Sequence, residues 1–306
     1  MMVAILQAVF SGLALGGIYA LVALGFSITH TTTKTFNFGQ GEFLAVGTLI
    51  GVSAVLLLAG KDITEALEVT DVTPLRYAIG LVASVVVLGL LGVLLYFTAV
   101  RPFVGFVGLA WVMSTIGFGI IIQNTALAIW GPTAIVLPSP LGNDVIRIGG
   151  AGIVPQEVLV LIVSILMMFC MDFVLRKTRF GKAVRAVAHS RNAATLMGIN
   201  VSAIVVMAFV VSSSLAGLAG MLIAPITTAS VFMGLTIALK AFSAAIVGGL
   251  NNPRGCMLGG FLLGLLEALV GLWQAEMREI SIFLLIIVVL ALKPEGLLGQ
   301  RQVEKV

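Results

Sequence analysis

The sequence has 306 residues, of which 60% are hydrophobic and 10% charged, against roughly 45 to 50% and about 25% in ordinary soluble domains. Together with a mean hydropathy of +1.18, this composition excludes a soluble globular protein and predicts an integral membrane protein. The formal net charge of +4 comes from cations in loops between apolar runs, the pattern that reports membrane orientation and not nucleic-acid binding.

Apolar runs of about 20 residues recur along the chain without period-two alternation, which predicts an all-α polytopic membrane protein. Counting the runs gives a bundle of eight or nine transmembrane helices, some of them broken or half-length. With nine, the N-terminus lies outside and the C-terminus inside. No polar segment is long enough to form a core of its own, so residues 1–306 are expected to form a single transmembrane domain.

The first run, Val3 to Ile28, is expected to remain as a span, and its Gly12 and Gly16 would let another helix approach closely. A polar patch follows from Thr29 to Gly41, with Glu42 at the start of the second run. Such a patch can satisfy the backbone where a helix is broken beside a cavity. It therefore supplies candidates for a substrate path, namely Asn37, Gln40, Gly41 and Glu42; the alternative is a solvated loop in which Asn37 caps the next helix.

The middle of the chain alternates spans with loops. Residues 61–76 are net acidic, which suits an external loop, and a third run extends from Tyr77 to Val100. The fourth run, Phe103 to Trp130, carries Gln123 and Asn124 and four glycines that indicate close packing or a broken helix: Gly105, Gly108, Gly117 and Gly119. Gly and Pro at turn spacing in residues 131–155 predict an external loop with a short hairpin.

The basic stretch, residues 176–200, must lie in water, because each cation at a bilayer centre costs about 2.5 to 3.5 kcal/mol. By the positive-inside rule it is cytosolic. Its periodicity predicts one short helix ending near Ser190 and a second one capped by Asn192 and Gly198. The first helix has an apolar stripe (Val184, Val187, Ala188) and a polar one (Lys182, Arg185, His189). The simpler alternative is a solvated loop, but an apolar stripe outside the bilayer suggests a protein partner.

The second half contains a short apolar run, Leu235 to Leu250, which carries Lys240 and predicts a half-helix or a tilted span. A break follows from Gly248 to Gly255. It corresponds loosely to the polar patch at Thr29 to Gly41 in the first half of the chain. In transporters, paired interrupted segments of this kind line the substrate path. Glu267 lies within the next run. Ionisable groups inside spans are functional candidates, so Lys240 and Glu267 join the substrate-path set, although a structural salt bridge between them is a competing interpretation.

Catalytic patterns are missing from the sequence. Gly181 and Lys182 do not belong to a Walker A motif, and Cys170, Cys256, His30 and His189 lack metal-ligand spacing. The chain is therefore expected to be a transport protein, and not an enzyme or a metalloprotein.

Five stretches together resemble the LivH-type permease subunits of bacterial ABC importers for branched-chain amino acids. They occur in the family's order over nearly the whole chain: GLALGGIYALVALGFSITH, FNFGQGEF, GKAVRAVAHSRNAATLMGIN, ALKAFSAAIVGGLNNPRG and KPEGLLGQRQVEKV.

The resemblance implies a permease domain in the bacterial plasma membrane without an ATPase motif. It implies a second related permease or a second copy, two cytosolic ATPases that use ATP and Mg, and a periplasmic or lipid-anchored binding protein. ATP would drive alternating access for leucine, isoleucine and valine. The loop around 176–200 would couple to the ATPase through Gly181, Lys182, Val184, Arg185, Val187, Ala188 and Gly198.

The chain departs from the family pattern at residues 37–41. Many relatives read Asn-Phe-Ala-His-Gly there, and this chain has Gln40 in place of the histidine. An amide keeps hydrogen bonding but cannot titrate. Importers for urea, short amides or other amino acids therefore remain alternatives. A stand-alone channel or ion-coupled carrier is a more distant one, with Glu267 as its candidate coupling carboxylate.

Overall fold

A computed structural model describes residues 2–62, 65–103, 110–142, 144–148 and 150–299. The helices are α1 (Met2–Thr33), α2 (Gln40–Ala59), α3 (Pro74–Leu95), α4 (Ala110–Trp130), α5 (Pro155–Lys177), α6 (Arg179–His189), α7 (Arg191–Leu196), α8 (Val201–Ile223), α9 (Met233–Gly248), α10 (Pro253–Gly271) and α11 (Met277–Leu292). Two short strands, β1 (Ile146–Ile148) and β2 (Ala151–Ile153), pair in antiparallel fashion and confirm the hairpin expected between residues 131 and 155.

The predicted helical membrane fold is confirmed. Seven helices in the described ranges are long and apolar enough to cross a bilayer: α1, α2, α3 with its continuation to Phe103, α4, α5, α8 and α10. Helices α9 and α11 have 16 residues each, shorter than the roughly 20 that a full crossing requires. The expected eight or nine spans are reached when one or both of them are counted.

Helix α1 lies at the centre of the bundle and packs along α10, with α8, α9 and α5 around it. A methyl group added at Gly12 would meet the side chain of Ala268, and one added at Gly264 would overlap the backbone of Gly16. The close approach predicted from Gly12 and Gly16 is confirmed, because only glycines leave room for these two backbones.

Helix α4 is continuous from Ala110 to Trp130, so the broken-helix interpretation is wrong for this part of the fourth run. Gly119 packs against the backbone of Gly39, as close packing requires, whereas the space beside Gly117 is empty. The other two glycines of the run, Gly105 and Gly108, lie outside the described residues. Of the seven spans, α4 has the smallest buried share.

One end of the bundle gathers the second polar break, the basic helices and the chain's last described residues. Ser27 Oγ donates to Leu250 O (2.8 Å), and the Arg191 guanidinium donates to Thr32 O (3.0 Å). Leu297 N donates to Val247 O at 2.8 Å, which holds the tail against the turn after α9. This arrangement fits the expected topology, in which the basic loop and the C-terminus share the cytosolic side.

The topology gives a direct prediction at His189, the exposed last residue of α6. A cysteine introduced as His189→Cys, in a background with Cys170 and Cys256 replaced by Ser and Ala, is expected to react with a membrane-impermeant maleimide only from the cytosolic side. Labelling of inside-out and right-side-out vesicles measures this, with a cysteine at Val69, in the loop expected to be external, as the matched control. Labelling of the His189→Cys variant from outside would invert the assigned orientation.

Candidate functional site

An amide cluster, formed by Asn37, Gln40 and Ser212, joins the start of α2 to the middle of α8. Gln40 Oε1 accepts from Asn37 Nδ2 (3.3 Å) and from Ser212 Oγ (3.1 Å), while Gln40 Nε2 donates to Ser212 O (3.0 Å). All three side chains are buried. The solvated-loop interpretation is therefore wrong, and Asn37 does not cap α2, because its side chain accepts from Gly39 N one residue before the helix.

Gly41 and Glu42 begin α2 and face different neighbours. A methyl group at Gly41 would meet Gly234 O and Ala238 Cβ, so this glycine permits close contact between α2 and α9. Glu42 lies beside Gly119 of α4. Its buried Oε2 has no hydrogen-bond partner within the described part of the chain. Buried carboxylates are normally paired, so Glu42 is the path candidate whose bonding capacity remains free.

Lys240 and Glu267 form a membrane-buried ion pair between α9 and α10, with Lys240 Nζ 2.6 Å from Glu267 Oε1. Their side chains are only 13% and 9% exposed. Tyr19 of α1 donates its hydroxyl to Glu267 Oε2 at 2.8 Å. The salt-bridge interpretation is confirmed, and the pair ties three helices together. Sequence reasoning missed Tyr19, although a tyrosine inside an apolar span signals a hydroxyl that needs a buried partner.

The basic stretch forms the two predicted short helices. Thr178 Oγ1 accepts from Gly181 N at the start of α6, and Ser190 Oγ accepts from Ala193 N at the start of α7. The expected cap at Asn192 is wrong, because Ser190 takes that position in extended backbone and thereby ends one helix and begins the next. Gly198 has φ +77°, as expected of a glycine that terminates a helix.

The apolar stripe of α6 faces its own bundle. Gly181, Val184 and Val187 are buried, Ala188 is half-buried, and α6 packs against α5, α1 and α8. The inference that the stripe itself contacts a partner is therefore wrong. The outward face instead carries Lys182, Arg185 and His189, which are exposed.

An apolar knob, formed by Leu196 and Met197, projects from the end of α7. These side chains are 88% and 82% exposed, which places them among the most exposed large hydrophobic residues that the structure describes. Sequence reasoning placed them within the loop but not among its contact residues. The signal in the sequence was that these two apolar residues directly precede the helix-ending Gly198 and do not belong to the apolar stripe of α6. The knob and the cations of α6 together form a surface suited to a protein partner.

Nearly the whole chain is similar to known permease proteins. Residues 8–291 match the family model described as the permease component of branched-chain amino acid transport systems. The chain is 32% identical to the high-affinity branched-chain amino acid transport system permease protein LivH of Escherichia coli K12, covering 98% of this chain and 97% of the relative. It is also 32% identical to the corresponding permease protein BraD of Pseudomonas aeruginosa, covering 98% of each. A more distant relative is the D-allose transport system permease protein AlsC of Escherichia coli K12, at 26% identity over 80% of this chain and 74% of the relative.

Proposed function

The chain belongs to the family of permease components of branched-chain amino acid transport systems, and from this premise we propose that it is the membrane subunit of an ATP-driven importer for leucine, isoleucine and valine. The observation that supports this most is the identity to LivH and BraD along the full length, including the membrane helices and the basic stretch. As a family member the chain is a component of a transporter in the inner membrane, crossing it several times.

The assembly follows from the same premise. The permease domain, residues 1–306, pairs with a second related permease subunit, binds two cytosolic ATPases that use ATP and Mg, and receives substrate from a periplasmic or lipid-anchored binding protein. The coupling segment is the stretch around 176–200. Support comes from its outward Lys182 and Arg185 and from the apolar knob, since buried apolar anchors surrounded by polar residues carry most of the energy in protein interfaces.

The contacts of the coupling segment suggest how alternating access is driven. Helix α6 follows α5 after a single residue, and the Arg185 guanidinium donates to Leu175 O. Arg191 binds the last turn of α1. Movement of α6 and α7 with the ATPases would therefore displace the inner ends of α1 and α5, and α1 is the central helix of the bundle. The amide cluster and the Lys240–Glu267 pair would carry that movement to α2, α8, α9 and α10.

Glu42 is proposed as the substrate-path residue, since its carboxylate can accept a hydrogen bond from the ammonium group of an amino acid. The other path candidates would shape the path indirectly, because they already hold helices together through hydrogen bonds, an ion pair or close packing. They are Asn37, Gln40, Gly41, Lys240 and Glu267. Glu42→Gln is expected to raise the KM for leucine about 10- to 100-fold, the equivalent of roughly 1.5 to 3 kcal/mol for a hydrogen bond to a charged group.

Uptake kinetics in reconstituted vesicles measure this effect. The matched control is Glu157→Gln, which removes a carboxylate that binds Ser11 at the first turn of α5. An unchanged KM in the Glu42→Gln variant would remove Glu42 from the path.

Urea or a short amide is the alternative substrate class, favoured by the amide Gln40 where many relatives have histidine. Competition distinguishes the two: excess unlabelled leucine is expected to suppress ATP-driven uptake of labelled valine, and excess urea is expected to leave it unchanged. Uptake of labelled urea without uptake of leucine would keep the ATP-driven mechanism and move the substrate to amides. An ion-coupled carrier is disfavoured, because Glu267, its candidate carboxylate, is already paired with Lys240.

A further inference from the structure

Helix α4 presents a face that nothing in the described part of the chain covers. Its buried residues, Thr115, Gly119 and Ala126, lie along one side of the helix. At about 100° per residue, Gly117 and Asn124 fall on the opposite side. Four exposed residues surround them, and the six together are termed the α4 outer face: Met113, Gly117, Ile120, Ile121, Asn124 and Ala128.

Gly117 has no packing function within the described residues, since no atom lies within 4 Å of the position that a Cβ would occupy. Gly119, two residues later, shows the contrast, because a Cβ there would lie 3.2 Å from Gly39 Cα. A glycine inside a helix costs about 1 kcal/mol relative to alanine. In membrane proteins glycines of this kind let a neighbouring helix approach closely. Gly117 therefore suits a helix that another chain contributes.

Polar groups on and beside the α4 outer face also lack partners. Asn124 Nδ2 donates to Ile120 O at 2.8 Å, which leaves the amide oxygen free. The side chains of Ser114 and Gln123, at the two edges of the face, make no hydrogen bond within the described ranges. A polar group that faces the hydrocarbon region without a hydrogen-bond partner costs on the order of several kcal/mol. Lipid is thus a poor neighbour for this face.

The height of these residues restricts what can cover them. Gly117 lies seven residues after Ala110 and Asn124 six before Trp130, so each is roughly 9 to 11 Å from the nearer end of α4. A cytosolic ATPase or an external binding protein contacts only the ends of a span. The covering group must be embedded in the membrane, and it must carry neutral hydrogen-bonding groups, since the α4 outer face has no charge.

We infer that the α4 outer face is the surface on which the second, related permease subunit packs, through a membrane helix that approaches Gly117 and hydrogen-bonds to Asn124. This inference rests on the proposed function, which supplies a second permease. It explains why α4 is the least buried span although three of its amide or hydroxyl side chains, Ser114, Gln123 and Asn124, lie on or beside the α4 outer face.

Site-specific photo-crosslinking tests the contact in the assembled importer. A benzophenone amino acid at Ile121 is expected to give a covalent adduct with the second permease, identified by mass spectrometry, whereas the same probe at Leu90, an exposed residue of α3, gives none or far less. The absence of an adduct at Ile121, an adduct with lipid alone, or an adduct with a second copy of this chain would each overturn the inference.

A pair of glycine variants gives an independent test. A Cβ at Gly117 would have no atom of the described residues within 4 Å, so the Gly117→Leu variant is expected to reach the membrane in wild-type amounts and to lose at least tenfold in co-purification of the second permease. Gly119→Leu is the matched control and is expected to destabilise the chain itself, because Gly39 and Glu42 occupy that space. Wild-type co-purification with Gly117→Leu would contradict the inference.

Leucine uptake by the unsubstituted assembly separates this inference from the proposed function. Uptake without the Ile121 adduct overturns only the contact surface. The adduct without ATP-driven uptake overturns only the transport function.

Discussion

The double variant Leu196→Asp with Met197→Asp is expected to abolish ATP-driven uptake while the permease remains folded in the membrane. Both side chains project from α7 and have little contact with the described part of the chain, since they are 88% and 82% exposed. In an interface, removing apolar anchors of this kind costs about 2 to 4 kcal/mol, which lowers ATPase affinity roughly 30- to 1,000-fold. Co-purification of the ATPases and uptake into vesicles measure the two consequences together.

Two controls accompany this variant. Val69→Asp makes the same change at a half-exposed apolar residue of the loop expected to be external, and uptake should be unaffected. Val187→Asp should instead reduce the amount of folded permease, because Val187 is buried on the face of α6 that packs against the bundle. Arg185→Glu removes an exposed cation and also its bond to Leu175 O, so it is expected to lower co-purification of the ATPases while the permease still reaches the membrane. Wild-type uptake in the Leu196→Asp, Met197→Asp variant would remove the apolar knob from the docking surface.

Removing one member of the Lys240–Glu267 pair is expected to destabilise the permease by about 3 to 5 kcal/mol, because the remaining charge stays buried without compensation. Lys240→Met leaves the carboxylate with only the Tyr19 hydroxyl, and Glu267→Leu leaves the ammonium group with no acceptor among the contacts described. The double variant, with both charges removed, should recover much of the loss, since well-packed apolar residues often replace a buried ion pair without penalty.

Thermal unfolding of the purified variants in detergent measures this recovery, with the amount of monodisperse protein as a second readout. Arg254→Met serves as the matched control, because it breaks an ion pair with Asp172 in which the arginine is half-exposed. If both single variants unfolded at the wild-type temperature, or if the double variant were less stable than either, the pair would not stabilise the bundle as proposed.

Much of the fold was predictable because the bilayer imposes strong rules on sequence. Three sequence features each correspond to one structural requirement: the runs of about 20 apolar residues, the basic stretch at 176–200 and the pair Gly12 and Gly16. The structure has the corresponding spans, two short helices in the basic stretch and a close helix crossing. A salt bridge between Lys240 and Glu267 was one of two interpretations of these charges, and the structure shows it.

The errors share a physical cause, which is that periodicity shows how residues are spaced around a helix but not what each face contacts. The stripe at Val184 and Val187 is real, but its partner is the bundle itself. The cap at Ser190 was missed because Asn192 is an equally good capping residue by type, and only backbone geometry selects between them. The role of Tyr19 was missed because it depends on a contact with Glu267, far away in the sequence. The apolar knob was missed because only the folded structure shows that Leu196 and Met197 stay exposed.

ATP-dependent leucine uptake into vesicles tests the central claim most directly. The vesicles would contain this chain, the second permease and the two ATPases, with binding protein supplied from outside, and a matched set would lack only this chain. We expect leucine accumulation that requires ATP and disappears when this chain is omitted. Equal uptake without this chain, or uptake by this chain without ATPases or ATP, would contradict the central claim.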